Sequence, residues 1–250
     1  MVMMPFYQFL IGVAEKDDVK YAFLTQDRRL IPLDESARFL SYHADFQMIY
    51  GVWNKDGKDL ISRMKIDSAS DFSFLFALSN KTISHTAVSP DNQKIAFLAT
   101  DKTTQETQLR VIIHEEFGWF PLPFIKIPAS FSPVCFCSSD VLMYTDVSGA
   151  LKAVRLYKQL RTVEISPQGH SPVYSGITGF RAFIQNKKIV VSGKTQDEIE
   201  TNNVSALSFS KSGEELLFAD ANTLCRYNLM TKEKADIFRA EFPIVFIAEL

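Results

Sequence analysis

The chain has 250 residues, of which 46% are hydrophobic and 22% charged, and its formal net charge is −2. That composition excludes a disordered chain, and it gives no electrostatic reason to expect nucleic acid or an acidic membrane surface as a partner. Twenty-one Phe and eight Tyr tilt the reading toward strands, where flat rings pack well.

Residues 1–14 are mostly apolar, but no Lys or Arg precedes Lys16, so the charged start of a secretory signal is missing. The stretch is also shorter than the roughly 20 residues a membrane-spanning helix requires. It reads as a strand over Phe6–Val13, with a cleaved export signal as the alternative. Further along, Ile49–Ile61 holds two apolar runs around a Lys55-Asp56-Gly57 turn, a hairpin signal. Ala87–Ala99 repeats that plan around Ser89-Pro90-Asp91-Asn92. Phe131–Tyr144 is a weaker copy, and Leu207–Ala219 is a clear one around Ser210-Lys211-Ser212-Gly213. Thr223–Glu233 then alternates apolar and polar residues. Phe242–Leu250 ends the chain as a strongly apolar strand. Helical periodicity is scarce throughout.

Short strands recurring with a period near 40 residues indicate a β-propeller, an all-β ring of four-stranded blades. The expected blades cover residues 6–35, 37–80, 82–127, 129–166, 172–202 and 203–240, the fifth short or irregular. Six blades are expected, with five as the alternative, in one domain over residues 1–250. The leftover strand at 242–250 is expected to join the first blade as its innermost strand and close the ring, which removes exposed sheet edges. The Ser89-Pro90-Asp91 segment running into Ile95-Ala96-Phe97, and its counterpart at 210–218, resemble the repeat of TolB-like and WD-like six-bladed propellers. This resemblance implies the fold. It also leaves open a divergent TolB-like component of the export pathway or cell envelope.

Enzyme signatures are sparse. There is no Gly-x-Ser-x-Gly elbow, phosphate-binding glycine loop or His-Glu-x-x-His helix. Gly169-His170-Ser171 lacks the setting that would expose a nucleophile. His43 with Asp45, and His85, are the residues that propeller loops would have to assemble into an acid–base or metal site, although each also reads as a histidine bonded to backbone or water. Asp91, Asp140 and Asp220 fall in turns, where a carboxylate caps local amides. Three cysteines, Cys135, Cys137 and Cys225, read as small buried hydrophobes. Their odd, low number argues against a disulfide framework and favours a reducing, cytoplasmic setting. No catalytic residue, metal ligand or cofactor is assigned.

The segment His114–Ile125 stands out. Pro121 and Pro123 exclude it from a central strand, so it is an edge strand or loop. It carries Phe117, Trp119, Phe120 and Phe124, which form either a binding patch or a cover over the blade beneath. The functional expectation is a non-enzymatic scaffold that binds a protein or peptide through its loops and central mouth, without nucleic acid and without a membrane span. The rival is a propeller hydrolase or lactonase working at the central channel.

Overall fold

The computed structural model describes residues 7–16, 18–33, 37–66, 72–123, 125–157, 160–193 and 196–250. The chain is an all-β, six-bladed β-propeller, and no helix occurs among the described residues. The first blade contains β1 (Tyr7–Glu15), β2 (Asp18–Thr25) and β3 (Leu30–Pro32). The second runs β4 (Ala37–His43), β5 (Met48–Lys55), β6 (Lys58–Lys65) and β7 (Phe72–Ala77). The third runs β8 (Lys81–Val88), β9 (Lys94–Asp101), β10 (Thr107–Glu115) and β11 (Gly118–Pro121), with the short β12 (Ile127–Pro128) also paired to β10. The fourth comprises β13 (Cys135–Ser138), β14 (Val141–Thr145), β15 (Leu151–Arg155) and β16 (Arg161–Ser166). The fifth comprises β17 (His170–Tyr174), β18 (Arg181–Gln185), β19 (Lys188–Ser192) and β20 (Gln196–Glu200). The sixth comprises β21 (Val204–Phe209), β22 (Glu215–Asp220), β23 (Thr223–Asn228) and β24 (Lys234–Arg239).

The last strand, β25 (Ile244–Glu249), pairs antiparallel with β1, with Leu10 opposite Ala248 and Ile11 opposite Ile247. The sheet order β25-β1-β2-β3 therefore completes the first blade with the chain's own end, as expected from the leftover apolar run. By packing, the chain divides into two compact units, residues 1–37 with 175–250, and residues 38–174.

The repeated turns have a common cause. In the third blade the Ser89 N–H donates to the Lys94 carbonyl at 2.9 Å, the Lys94 N–H donates to Ser89 Oγ at 2.8 Å, and Asn92 adopts φ 57°. In the sixth, the Ser210 N–H donates to the Glu215 carbonyl at 2.9 Å, the Glu215 N–H donates to Ser210 Oγ at 3.1 Å, and Gly213 adopts φ 72°. The serine hydroxyl thus accepts the amide that reopens the strand, and Asn or Gly takes the left-handed position that other residues resist. A Cβ at Gly213 would also lie 2.3 Å from Ser175 Oγ, so the position needs glycine twice over.

The fifth blade is not irregular. Its four strands have five residues each, and Asn186 and Lys187 both take positive φ, 50° and 66°, as a two-residue hairpin turn between twisted strands requires. Its strands look thin in sequence because β20 is an outer strand with three acids in five residues.

Second strands are buried on both faces. Ile95 to Ala99 on β9 and Leu216 to Ala219 on β22 are all inaccessible, because each face meets a neighbouring sheet. In one unit, Phe9, Ile11 and Leu24 pack with Leu217, Leu224, Ile244 and Ile247. In the other, Tyr50, Val52 and Ile61 pack with Ile83, Ile95 and Phe97. A buried carboxylate crosses that second contact. Asp59 on β6 accepts the Ile83 N–H at 3.0 Å, the Asn54 amide at 3.1 Å and an Arg38 guanidinium hydrogen at 2.6 Å.

Candidate functional site

In the 114–125 segment, β11 is the outermost full strand of its blade, where proline costs no central ladder bond. Its register with β10 pairs His114 with Trp119 and Ile113 with Phe120. Strand alternation then sends successive rings to opposite faces. Trp119 is half-buried against the cluster holding Ile95 and Phe97, with the His114 ring 5.1 Å away. Phe120 is 42% exposed, and Phe117, at the tip of the hairpin, is 87% exposed. The Leu122 N–H donates to the Val111 carbonyl at 2.9 Å, and the Leu122 side chain packs on the cluster containing Val134 and Phe136. The segment therefore divides: Trp119 and Leu122 cover the blade, while Phe117 and Phe120 are exposed. Phe124 lies outside the described residues. Sequence reasoning missed Phe74, 56% exposed on β7, a strand in contact with β11.

The histidines do not converge. His43 places its Nε2 3.1 Å from the Pro90 carbonyl and its ring 4.9 Å from that of Phe46. His85 sits inside β8 at a bulge, where His85 and Thr86 together stand opposite Phe97. Its ring is wedged against Phe39 at 5.0 Å and Phe131 at 4.6 Å. Among the described residues no group of three or more His, Cys, Asp or Glu side chains gathers as metal ligands would.

Phe39, His85 and Ser171 share a rare backbone state, with φ of 50°, 49° and 52°. For residues other than glycine this state costs about 1–3 kcal/mol each. Each lies on the first strand of its blade, so the strain belongs to that strand position. This matters for Ser171, whose Oγ lies 3.1 Å from His170 Nδ1 and whose N–H donates to Ser132 Oγ at 3.2 Å. Its left-handed φ resembles a nucleophile's only in isolation; Phe39 and His85 adopt it without any nucleophile.

Burial lowers the His85 pKa to about 4, since the apolar surroundings penalise the imidazolium. The folded pKa lies below the unfolded value near 6.5. The neutral ring therefore stabilises the fold above that pH, and the contribution is lost as pH falls from about 6.5 to about 4. The shift corresponds to about 3 kcal/mol. We expect the urea midpoint of the native chain to drop over this interval, and that of His85→Phe to drop less. Phe is a fair replacement because Phe39 already occupies the same backbone conformation. Equal pH slopes for the two proteins would show that His85 does not carry the effect.

Of the three aspartates, Asp91 caps its own turn, whereas Asp140 pairs with a lysine of the third blade and Asp220 ends strand β22 rather than lying in a turn. Asp91 accepts the Ser89 hydroxyl at 2.5 Å and the Gln93 N–H at 3.1 Å. Asp140 pairs with Lys94 at 3.2 Å, and Asp220 accepts the Asn203 N–H at 3.0 Å. Of the cysteines, only Cys225 is fully buried, its thiol pushed up to about 12 mainly by that burial; Cys135 and Cys137 are half-buried on β13. Among the described residues no helix is long and apolar enough to cross a membrane.

No protein-family model matches the chain, and no curated protein does either. Solved structures do. TolB from Acinetobacter baumannii superposes with a TM-score of 0.77 at 10% identity, over 97% of this chain and 66% of that one, so this chain spans just under two thirds of that protein's length. A structure of a nidogen/laminin complex matches with a TM-score of 0.68 at 10% identity, over 96% and 97% of the respective chains. The periplasmic gluconolactonase PpgL of Pseudomonas aeruginosa matches with a TM-score of 0.62 at 12% identity, over 94% and 82%. What this chain shares with TolB and the other two is the propeller fold alone.

Proposed function

We propose that the chain is a non-enzymatic scaffold that binds a protein or peptide partner through its loops, with the β10–β11 hairpin as the docking element. The observation that carries this reading is the division of labour in that hairpin. Trp119 anchors it to the blade, which leaves Phe117 almost wholly and Phe120 partly in water. Exposed rings on a rigid support are the usual anchors of protein recognition. Phe74 extends the surface on the adjoining strand, and Phe124 remains a candidate from sequence.

The nidogen/laminin structure is itself a complex between proteins, which favours recognition as a use of this fold. The hydrolase alternative draws on fold likeness, as to the gluconolactonase, and a shared fold does not transfer chemistry. The candidate histidines are moreover engaged by backbone or wedged between rings. The periplasmic setting of that neighbour lends no support to a cytoplasmic location.

Affinity purification from the native host tests the proposal. The double variant Phe117→Ala/Phe120→Ala is expected to keep its thermal midpoint and lose the partner, with affinity at least about tenfold weaker. Trp119→Ala is expected to lower stability by about 1–3 kcal/mol through lost packing. Undiminished partner recovery by the double variant, or no stoichiometric partner from well-folded bait, would refute the docking role.

A further inference from the structure

A cleft of about 300 Å³ opens between the first and sixth blades, within the unit that contains both chain ends. Small-ligand sites begin at roughly this size. Its apolar lining comes from Phe9, Leu24 and Leu217, each buried in the cluster that joins these two blades, with Ile237 and Phe238 beside them. Its charges come from two walls. On the sixth-blade side Arg226 is loosely paired with Glu215 at 3.5 Å. On the first-blade side Glu249 accepts the Lys211 N–H at 2.6 Å. Those groups are answered within the protein.

Two are not. Arg28 stands in the β2–β3 turn, where its left-handed φ of 61° fixes the direction in which the backbone presents it. Its neighbours Asp27 and Arg29 pair with each other and leave it out. On the opposite wall the Asp236 carboxylate accepts only the Cys225 thiol, at 3.4 Å. Among the described residues neither Arg28 nor Asp236 has an ion-pair partner. The cleft thus offers a cation without an ion-pair partner on one wall, an anion without one on the other, and the half-buried side chains of Ile237 and Phe238 in its lining.

We propose that this cleft binds a small zwitterion with an apolar side chain, a free amino acid or a dipeptide. The ligand's carboxylate faces Arg28, its ammonium faces Asp236, and its side chain covers the half-buried Ile237 and Phe238. A ligand with only one charge satisfies one wall and leaves the other group without a partner, so both charges contribute to selection. The site is separate from the β10–β11 hairpin and does not depend on it.

Calorimetric titration of the full chain with leucine, leucyl-leucine and the N-acetylated and C-amidated dipeptides tests this. At least one free zwitterion is expected to bind saturably in the millimolar range or below. Blocking either end is expected to weaken binding about five- to tenfold. In Arg28→Ala the difference between free and amidated dipeptide should vanish. In Asp236→Asn, which keeps an acceptor for the Cys225 thiol, the difference between free and acetylated dipeptide should vanish. Both side chains are exposed, so unchanged thermal midpoints without ligand will confirm intact folds. Absence of saturable binding by leucine and leucyl-leucine, or variants that respond to the blocked ends as the native chain does, would overturn the assignment.

Discussion

Removing residues 244–250 is expected to unfold the protein or leave it barely folded at room temperature. The segment contributes Ile244 and Ile247, both buried in the cluster with Phe9, Ile11 and the sixth-blade leucines, together with the buried Ala248 side chain. Two buried isoleucines are worth about 3–6 kcal/mol in transfer free energy alone. Stability of a whole domain is typically about 5–15 kcal/mol, so the loss consumes a large share of it. Backbone bonds go as well: the Ile244 N–H donates to the Ala221 carbonyl at 2.9 Å, and the Leu250 N–H to the Gln8 carbonyl at 3.0 Å. Deletion would also leave β1 as a bare apolar edge, a template for aggregation. Urea unfolding and size-exclusion chromatography should report a collapsed midpoint and oligomers, and a synthetic peptide of residues 242–250 added in trans should restore part of the midpoint. A truncated monomer with the native urea midpoint would mean that the ring does not depend on its closing strand.

The second large effect is expected at Asp59. The carboxylate is 7% exposed, yet it holds the second and third blades together by bonds to Arg38, Asn54 and the Ile83 amide. Asp59→Ala leaves the Ile83 N–H buried without a partner and strands the Arg38 charge, which is itself partly solvated. The expected cost is about 2–4 kcal/mol. Asp59→Asn keeps one carbonyl acceptor and should cost about half as much. The urea slope should stay constant while the midpoint shifts, as for a change in stability without a change in the surface exposed on unfolding. An alanine variant within a few tenths of a kcal/mol of the native chain would show that the blades are joined by their apolar contact alone.

The blade borders were largely legible because they rest on local rules. Ser89 and Ser210 announce their turns through a hydroxyl and a left-handed Asn or Gly a few residues on, and both signals sit within one window of sequence. The terminal run at 242–250 was legible for a similar reason: an apolar strand with no hairpin of its own must pair elsewhere. The fifth blade was underestimated because its outer strand, Gln196–Glu200, is nearly all polar. One buried residue, Ile199, is enough to hold such a strand, but it is too little to mark one in sequence.

The amino-acid order by itself determined the class of fold, the repeat, the position of most hairpins and the aromatic edge segment at 114–125. Only the tertiary structure decided which rings of that segment are spent on packing and which remain in water, since Trp119 and Phe120 are adjacent and chemically alike until a neighbouring sheet covers one face. The same holds for Asp59, whose partner, the Ile83 amide of the next blade, arrives 24 residues later, and for Arg28 and Asp236, which line one cleft only once the first and sixth blades meet. Periodicity along a strand is local and can be read directly. Contact between sheets depends on how blades stack, and no spacing in the chain encodes it.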